Sequence, residues 1–297
     1  MEIHLNKKSI KADILLFITA AIWGFAFVAQ RTGMDHIGPF LFNGIRFALG
    51  GTSLLPIYLY QKNKGKKKAL PDTKGLLIGA SLAGILIFMG ASFQQFGVKY
   101  TTAGNAGFIT GLYVVIVPII GIFIGKSTNK QTWIGALLAM IGMYFLSIKG
   151  GFKIELGDLL VFISAFFWAS HVQVVGRITR KYDALAISII QFYICSLLSM
   201  IIAIFTEPIV ISSIISAGIP ILYAGLFSVG IAYTLQVIAQ KDAHPSQAAI
   251  ILSLESVFAV IGGMLFLSET MSVRGLFGCG LMLVGMILSQ VNLKRKP

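Results

Sequence analysis

A chain of 297 residues that is 56% hydrophobic and only 12% charged, with a mean hydropathy of +0.85, carries far more apolar surface than a soluble domain can hide. Its formal charge of +13 is spread over short connecting segments rather than gathered on one face, which excludes a nucleic-acid binder. The two cysteines, Cys195 and Cys279, lie inside apolar segments, with neither a disulfide framework nor a zinc-ligand spacing around them.

Lipid must therefore be part of the solvent, where unpaired backbone groups cost several kcal/mol and only helices or closed barrels can span. The apolar stretches are continuous, so the chain is expected to be all-α and polytopic, with spans near residues 13–31, 39–60, 75–95, 103–125, 131–148, 157–176, 185–205, 217–239, 246–267 and 273–292. The first run follows Lys7, Lys8 and Lys11, but no small-residue cleavage site follows it. It is expected to remain as the first helix.

With ten spans, eighteen of the 24 basic residues fall on one side, from Lys7 through Lys62 to Lys68, Lys126, Arg177 and Arg180 to Lys294, Arg295 and Lys296. Only Arg31, Lys99, Lys149, Lys153 and Arg274 fall on the other, and Arg46 lies within a span. The positive-inside rule then places both termini in the cytoplasm of a multi-pass cell-membrane protein. The connections leave no room for a soluble domain. Their longest, 61–74, carries the Lys64 to Lys68 cluster, read as a solvated topology signal before an anionic-lipid site.

A shift of 145 residues lays Ala12 to Trp23 over Gly157 to Trp168, matching Asp13 with Asp158 and Trp23 with Trp168. A similar shift lays Lys99 to Gly125 over Lys241 to Leu267, and Gly135 and Gly142 over Gly278 and Gly285. The chain thus reads as a duplication, residues 1–150 and 151–297. Five helices per half is an odd number, so the second half must enter the membrane from the opposite side. Inverted repeats of this kind suit alternating access around a midplane site. Glycines seven apart on the fifth and tenth segments, and Gly107 with Gly111 and Gly121 with Gly125, are expected to serve close helix packing; a bend beside Pro118 is the lesser alternative.

The stretch Leu252-Ser-Leu-Glu-Ser-Val-Phe-Ala-Val-Ile-Gly-Gly-Met-Leu-Phe-Leu-Ser-Glu269, followed by Gly278 to Gly285, resembles the ending of the EamA-like family of drug/metabolite transporters. Ile22 to Val28, Gly44 to Ala48 and Thr101 to Ala106 resemble that family's first-repeat motifs. The resemblance implies ten helices as two inverted five-helix repeats, a central cavity, and export or exchange of amino acids or other small metabolites. Lys126 stands where the family often has Glu, and Ser256 where it often has Pro.

Ionisable groups within a membrane are costly and therefore functional candidates. Glu255 lies about ten residues past Pro245, roughly 15 Å deep at 1.5 Å per residue, and suits a proton or a substrate amine; structural glue is the equal alternative. Arg46 needs an acid or carbonyl partner, Glu269 being a candidate; a structural ion pair is favoured over a substrate carboxylate. Trp23, Gln94, Asn105, Tyr113, Trp168, His171, Tyr233 and Gln236 are candidates to line a metabolite site, as are Gln95, Gln173, Gln191 and Gln247, although for each alone interhelical packing is the simpler expectation.

No Gly-x-x-x-x-Gly-Lys-Ser/Thr sequence is present for nucleotide binding, and no cofactor or metal is expected. The expected function is a secondary transporter with lipid and a small molecule as partners and the proton as a candidate coupling ion, acting as a monomer or homodimer. Multidrug or cationic-compound efflux is the alternative. An intramembrane enzyme or a passive scaffold is more remote, since no hydrolase motif accompanies His171.

Overall fold

The computed structural model describes residues 7–64, 72–101, 103–147, 156–268, 270 and 272–290. Lys66 to Lys68, Lys149, Lys153, Glu269, Lys294 to Lys296 and the side chain of Asn105 lie outside the described residues. Helices run over α1 Lys7–Gly33, α2 Pro39–Asn63, α3 Thr73–Lys99, α4 Ala103–Gly111, α5 Tyr113–Phe123, α6 Lys130–Ser147, α7 Leu156–Ile178 and α8 Ala184–Thr206. They continue as α9 Ile211–Ser216, α10 Gly218–Leu222, a π-helix Tyr223–Tyr233, α11 Thr234–Ala239, α12 Pro245–Leu252, α13 Glu255–Phe266 and α14 Val273–Gln290. Among the described residues there is no strand.

Eight stretches are long and apolar enough to cross a bilayer, from Ser9–Gly33 to Pro245–Phe266. The 18-residue α6 and the apolar Val273–Ser289 complete a bundle of ten rods. Apolar side chains such as Phe123, Phe205, Ile219 and Val273 face outward, as lipid solvation requires. Ends are capped where the sequence offers a carboxylate. Asp72 accepts from Gly75 N–H (2.8 Å) and Asp183 from Ala186 N–H (2.9 Å), while Glu207, reaching from the end of α8, accepts from Phe40 N–H (2.9 Å) and Leu41 N–H (2.8 Å) at the start of α2. The Gly75 amide and the Tyr182 hydroxyl, which donates to Asp72 Oδ2 (2.7 Å), hold the Asp72 carboxyl below its usual range.

Glycine sets how closely the rods approach. An added Cβ on Gly135 would lie 2.6 Å from Gly285 O, and one on Gly142 would lie 2.5 Å from Gly278 O, so α6 and α14 touch backbone to backbone. The repeat matches Gly135 with Gly278 and Gly142 with Gly285, yet the contacts join first to last, as in an antiparallel crossing on a two-fold axis. Gly97 of α3 and Gly157 of α7 meet in the same way, each hypothetical Cβ 2.8 Å from the other's carbonyl.

Three features depart from ten plain segments. The fourth rod is interrupted at Leu112, between α4 and α5, and the ninth at Ser253 and Leu254, between α12 and α13. At both points a turn tightens to i→i+3 bonding: Leu112 N–H donates to Ile109 O (3.2 Å) and Leu254 N–H to Ile251 O (3.1 Å). The Ile250 carbonyl that Leu254 would otherwise engage is taken by Ser253 Oγ (2.8 Å). Pro118 is not the break. It sits inside α5, and the ninth rod breaks at the matching place without a proline, so the interruption belongs to the repeat. The eighth rod is wound as a π-helix over eleven residues, and the short α9 precedes it. Two π-helix carbonyls accept from α1: Ser228 O from Trp23 Nε1 and Ala232 O from Thr19 Oγ1, both at 3.2 Å.

Candidate functional site

The interruptions at Leu112 and Ser253–Leu254 each precede a polar side chain by one residue, Tyr113 on α5 and Glu255 on α13, and the same repeat shift relates the two. Both line a cavity of about 500 Å³, counted with its open mouth. Its walls come from Trp23, Phe27 and Gln30 on α1, Arg46 on α2, Gln94 on α3, Thr110 on α4, and Trp168, His171 and Val172 on α7. Ser228 and Tyr233 of the π-helix, Gln236 of α11 and Leu252 of α12 complete it with Tyr113 and Glu255. Trp23, Gln94, Tyr113, Trp168, His171, Tyr233, Gln236, Glu255 and Arg46, scattered over seven rods in the sequence, are thus gathered around one space.

Tyr233 is the aromatic centre. Its ring lies 4.5 Å from Trp23, 5.9 Å from Phe47, 6.0 Å from Trp168 and 6.2 Å from His171, centroid to centroid. The paired tryptophans are not equivalent: Trp23 Nε1 is occupied by Ser228 O, whereas Trp168 Nε1 is buried without a partner. Gln30 Oε1, Tyr113 Oη, both amide atoms of Gln236 and Glu255 Oε1 share that condition. Tyr113 and Glu255 are electrostatic neighbours, but neither Tyr113 Oη nor Glu255 Oε1 meets hydrogen-bond geometry. Exposure is 5% for Gln30, 3% for Tyr113, 8% for Trp168, 1% for Gln236 and 4% for Glu255, so bulk water does not satisfy them.

Arg46 is buried with Nε donating to Asn43 Oδ1 (2.9 Å) and its guanidinium 5.0 Å from the Phe47 ring centroid and 5.5 Å from that of Phe42. Its electrostatic neighbours are Tyr233 and Cys195, and among the described residues no carboxylate pairs with it. The expected partner Glu269 is outside the described residues. His171 Nε2 meets Gln191 Oε1 at 3.1 Å, and Gln94 Nε2 donates to Thr110 Oγ1 (3.1 Å).

Other glutamines singled out in the sequence do not line the cavity and donate to backbone carbonyls. Gln95 Nε2 donates to Gln30 O (3.2 Å), Gln247 Nε2 to Ser289 O (3.0 Å) and Gln173 Nε2 to Val117 O (2.7 Å). Sequence reasoning missed Phe27, Gln30, Thr110, Val172, Ser228 and Leu252 as lining residues. Gln30 was findable: it lies seven residues after Trp23, two helical turns along the same face. Ser228 was not, because α-helical spacing does not describe a π-helix.

A lipid-facing bundle of ten rods around one central cavity, with apolar walls set with polar side chains, defines a multi-pass membrane transporter. The chain belongs to the EamA-like transporter family, whose model matches it twice, over residues 10–148 and 155–290. It is 34% identical to an uncharacterized transporter of Archaeoglobus fulgidus over 95% of this chain and 86% of that one. It is 22% identical to the uncharacterized transporter YoaV of Bacillus subtilis over 97% of this chain and 99% of that one. With the uncharacterized inner membrane transporter YedA of Escherichia coli the figures are 24%, 92% and 88%. A solved crystal structure superposes with a TM-score of 0.75 over 93% of this chain and 95% of that chain at 19% identity, a likeness of fold.

Proposed function

We propose that the protein exports or exchanges a small polar metabolite, an amino acid or related compound, across the cytoplasmic membrane by alternating access, with both termini cytoplasmic. The observation that carries this reading is the set of unpartnered polar atoms on Gln30, Trp168 and Gln236 beside the Tyr113–Glu255 pair, all on residues that line one cavity. A buried polar group without a partner costs about 1–3 kcal/mol. Several together are retained where a ligand completes them.

The atoms fit a molecule with donors and acceptors at once. Glu255 Oε1, Gln30 Oε1 and Gln236 Oε1 accept, which suits an ammonium group; Trp168 Nε1 and Gln236 Nε2 donate, and Arg46 supplies a cation that suits a carboxylate. Trp23, Tyr233 and Trp168 offer ring faces to the remainder of the molecule. Glu255, at the end of an interrupted helix beside Tyr113, is the proton-coupling group in this reading.

A thermal-shift screen of purified protein against amino acids, nucleosides, polyamines and cationic drugs tests it. A true binder at 100 times its dissociation constant stabilises the fold by ~2.7 kcal/mol. A shift with a zwitterionic amino acid that is weakened in Glu255→Gln and lost in Trp168→Ala is the expected result. Selective shifts with cationic drugs alone would replace the metabolite reading by multidrug efflux.

A further inference from the structure

The cavity ends at Val172, Gln236 and Leu252, and one turn further on, towards Lys126, the rods close with polar contacts. Gln240 Nε2 donates to Val172 O (3.0 Å), and Gly176 of α7 sits so near Pro245 that an added Cβ would lie 2.8 Å from its ring. Lys126 joins this closure through a Schellman turn. Gly125, at φ +75°, ends the fourth rod in a left-handed residue, Lys126 N–H bonds back to Gly121 O (2.8 Å) and Gly125 N–H to Ile122 O (3.0 Å). The side chain is thereby returned towards α7, where Lys126 Nζ donates to Gln173 Oε1 (2.8 Å) while Gln173 Nε2 donates to Val117 O (2.7 Å). Gly121 makes room for this: a Cβ there would lie 3.1 Å from Gln173 Nε2.

The related crossing in the inverted repeat is that of α1 with α13, and its chemistry differs. Gly262 of α13 faces Phe25 and Val28, each 3.1 Å from a hypothetical Cβ, and Phe25 packs edge-on against Phe266. The shift that matches Trp23 with Trp168 matches Val28 with Gln173. One crossing is apolar; the other is tied by a lysine, an amide and a backbone carbonyl.

We propose that Lys126 and Gln173 are the latch that shuts the transport pathway on the membrane face carrying Lys126, acting as positioning residues that link α5 to α7 without contacting the substrate. The latch is poised to release. Partial burial, with Arg180 and Arg177 nearby, holds the Lys126 ammonium below the usual lysine range; His244, facing the same cluster, is lowered by burial, Lys126 and Arg180. A lysine so placed keeps Gln173 through a charge-assisted bond, and among the described residues no ion pair has to break for it to let go.

Sidedness of thiol labelling tests the latch with no substrate present, so its outcome is independent of the metabolite reading. With Cys195→Ala and Cys279→Ala as background, Leu252→Cys at the cavity floor is labelled by a membrane-impermeant maleimide in right-side-out and inside-out vesicles. Lys126→Met and Gln173→Leu should each raise labelling from the Lys126 face about tenfold, a tenfold change corresponding to about 1.4 kcal/mol. Lys126→Arg should restore the parent rate. Either of the first two variants suffices to decide: an unchanged rate, an equal rise from both faces, or a Lys126→Arg rate matching Lys126→Met overturns the latch.

Discussion

Glu255 and Tyr113 occupy matching positions after matching interruptions, yet one is an acid and the other a phenol, so among the described residues lining the cavity Glu255 is the one carboxylate. If that carboxylate moves the proton, Glu255→Gln abolishes uptake driven by a pH gradient while leaving substrate exchange partly intact. Uptake that keeps its normal pH dependence in the glutamine variant would show that the proton travels elsewhere. The lining residues legible in the sequence were those whose chemistry is conspicuous in an apolar run: Trp23, Trp168, His171, Glu255 and Arg46. Small residues such as Thr110 and Ser228 carry no such mark, and the glutamines could not be sorted. Gln236 lines the cavity with both amide atoms unpartnered, while the amide nitrogens of Gln95 and Gln247 are spent on backbone carbonyls, a distinction that residue type does not carry.

Helix boundaries were readable to within a few residues because charges and turn residues punctuate the apolar runs; α2 at Pro39–Asn63 and α8 at Ala184–Thr206 are examples. The interruptions were not, since Gly-Leu-Tyr at 111–113 and Ser-Leu-Glu at 253–255 have no proline and are compatible with continuous helix. The glycines divide by what they face. Gly142→Ala places a methyl against the Gly278 carbonyl and should cost roughly 1–3 kcal/mol, by the overpacking scale. Gly280, on α14 with nothing within 4 Å of a Cβ, should accept alanine with a gain of about 0.5–1 kcal/mol from helix propensity. Melting temperatures of the two variants in detergent check the contrast, and equal melting points would show that the α6–α14 approach is not tight in solution.

For the whole molecule, the charge bias and the even number of rods make one joint statement. A reporter fused after Lys296 should read as cytoplasmic; a signal from the opposite side would contradict the orientation given by the basic residues. The same architecture places Tyr233 at the far end, and Gln236 just beyond the end, of a π-helix whose carbonyls are partly held by Trp23 and Thr19 of α1. A π-helix bonds i to i+5, one residue more per closed ring than an α-helix. Rewinding it would lengthen the eighth rod, withdraw Ser228 and Ala232 from α1, and swing Tyr233 by about 100° for each residue of register gained. The aromatic centre of the cavity therefore rests on a coil wound one step loose, and its place is set by the winding of that single rod.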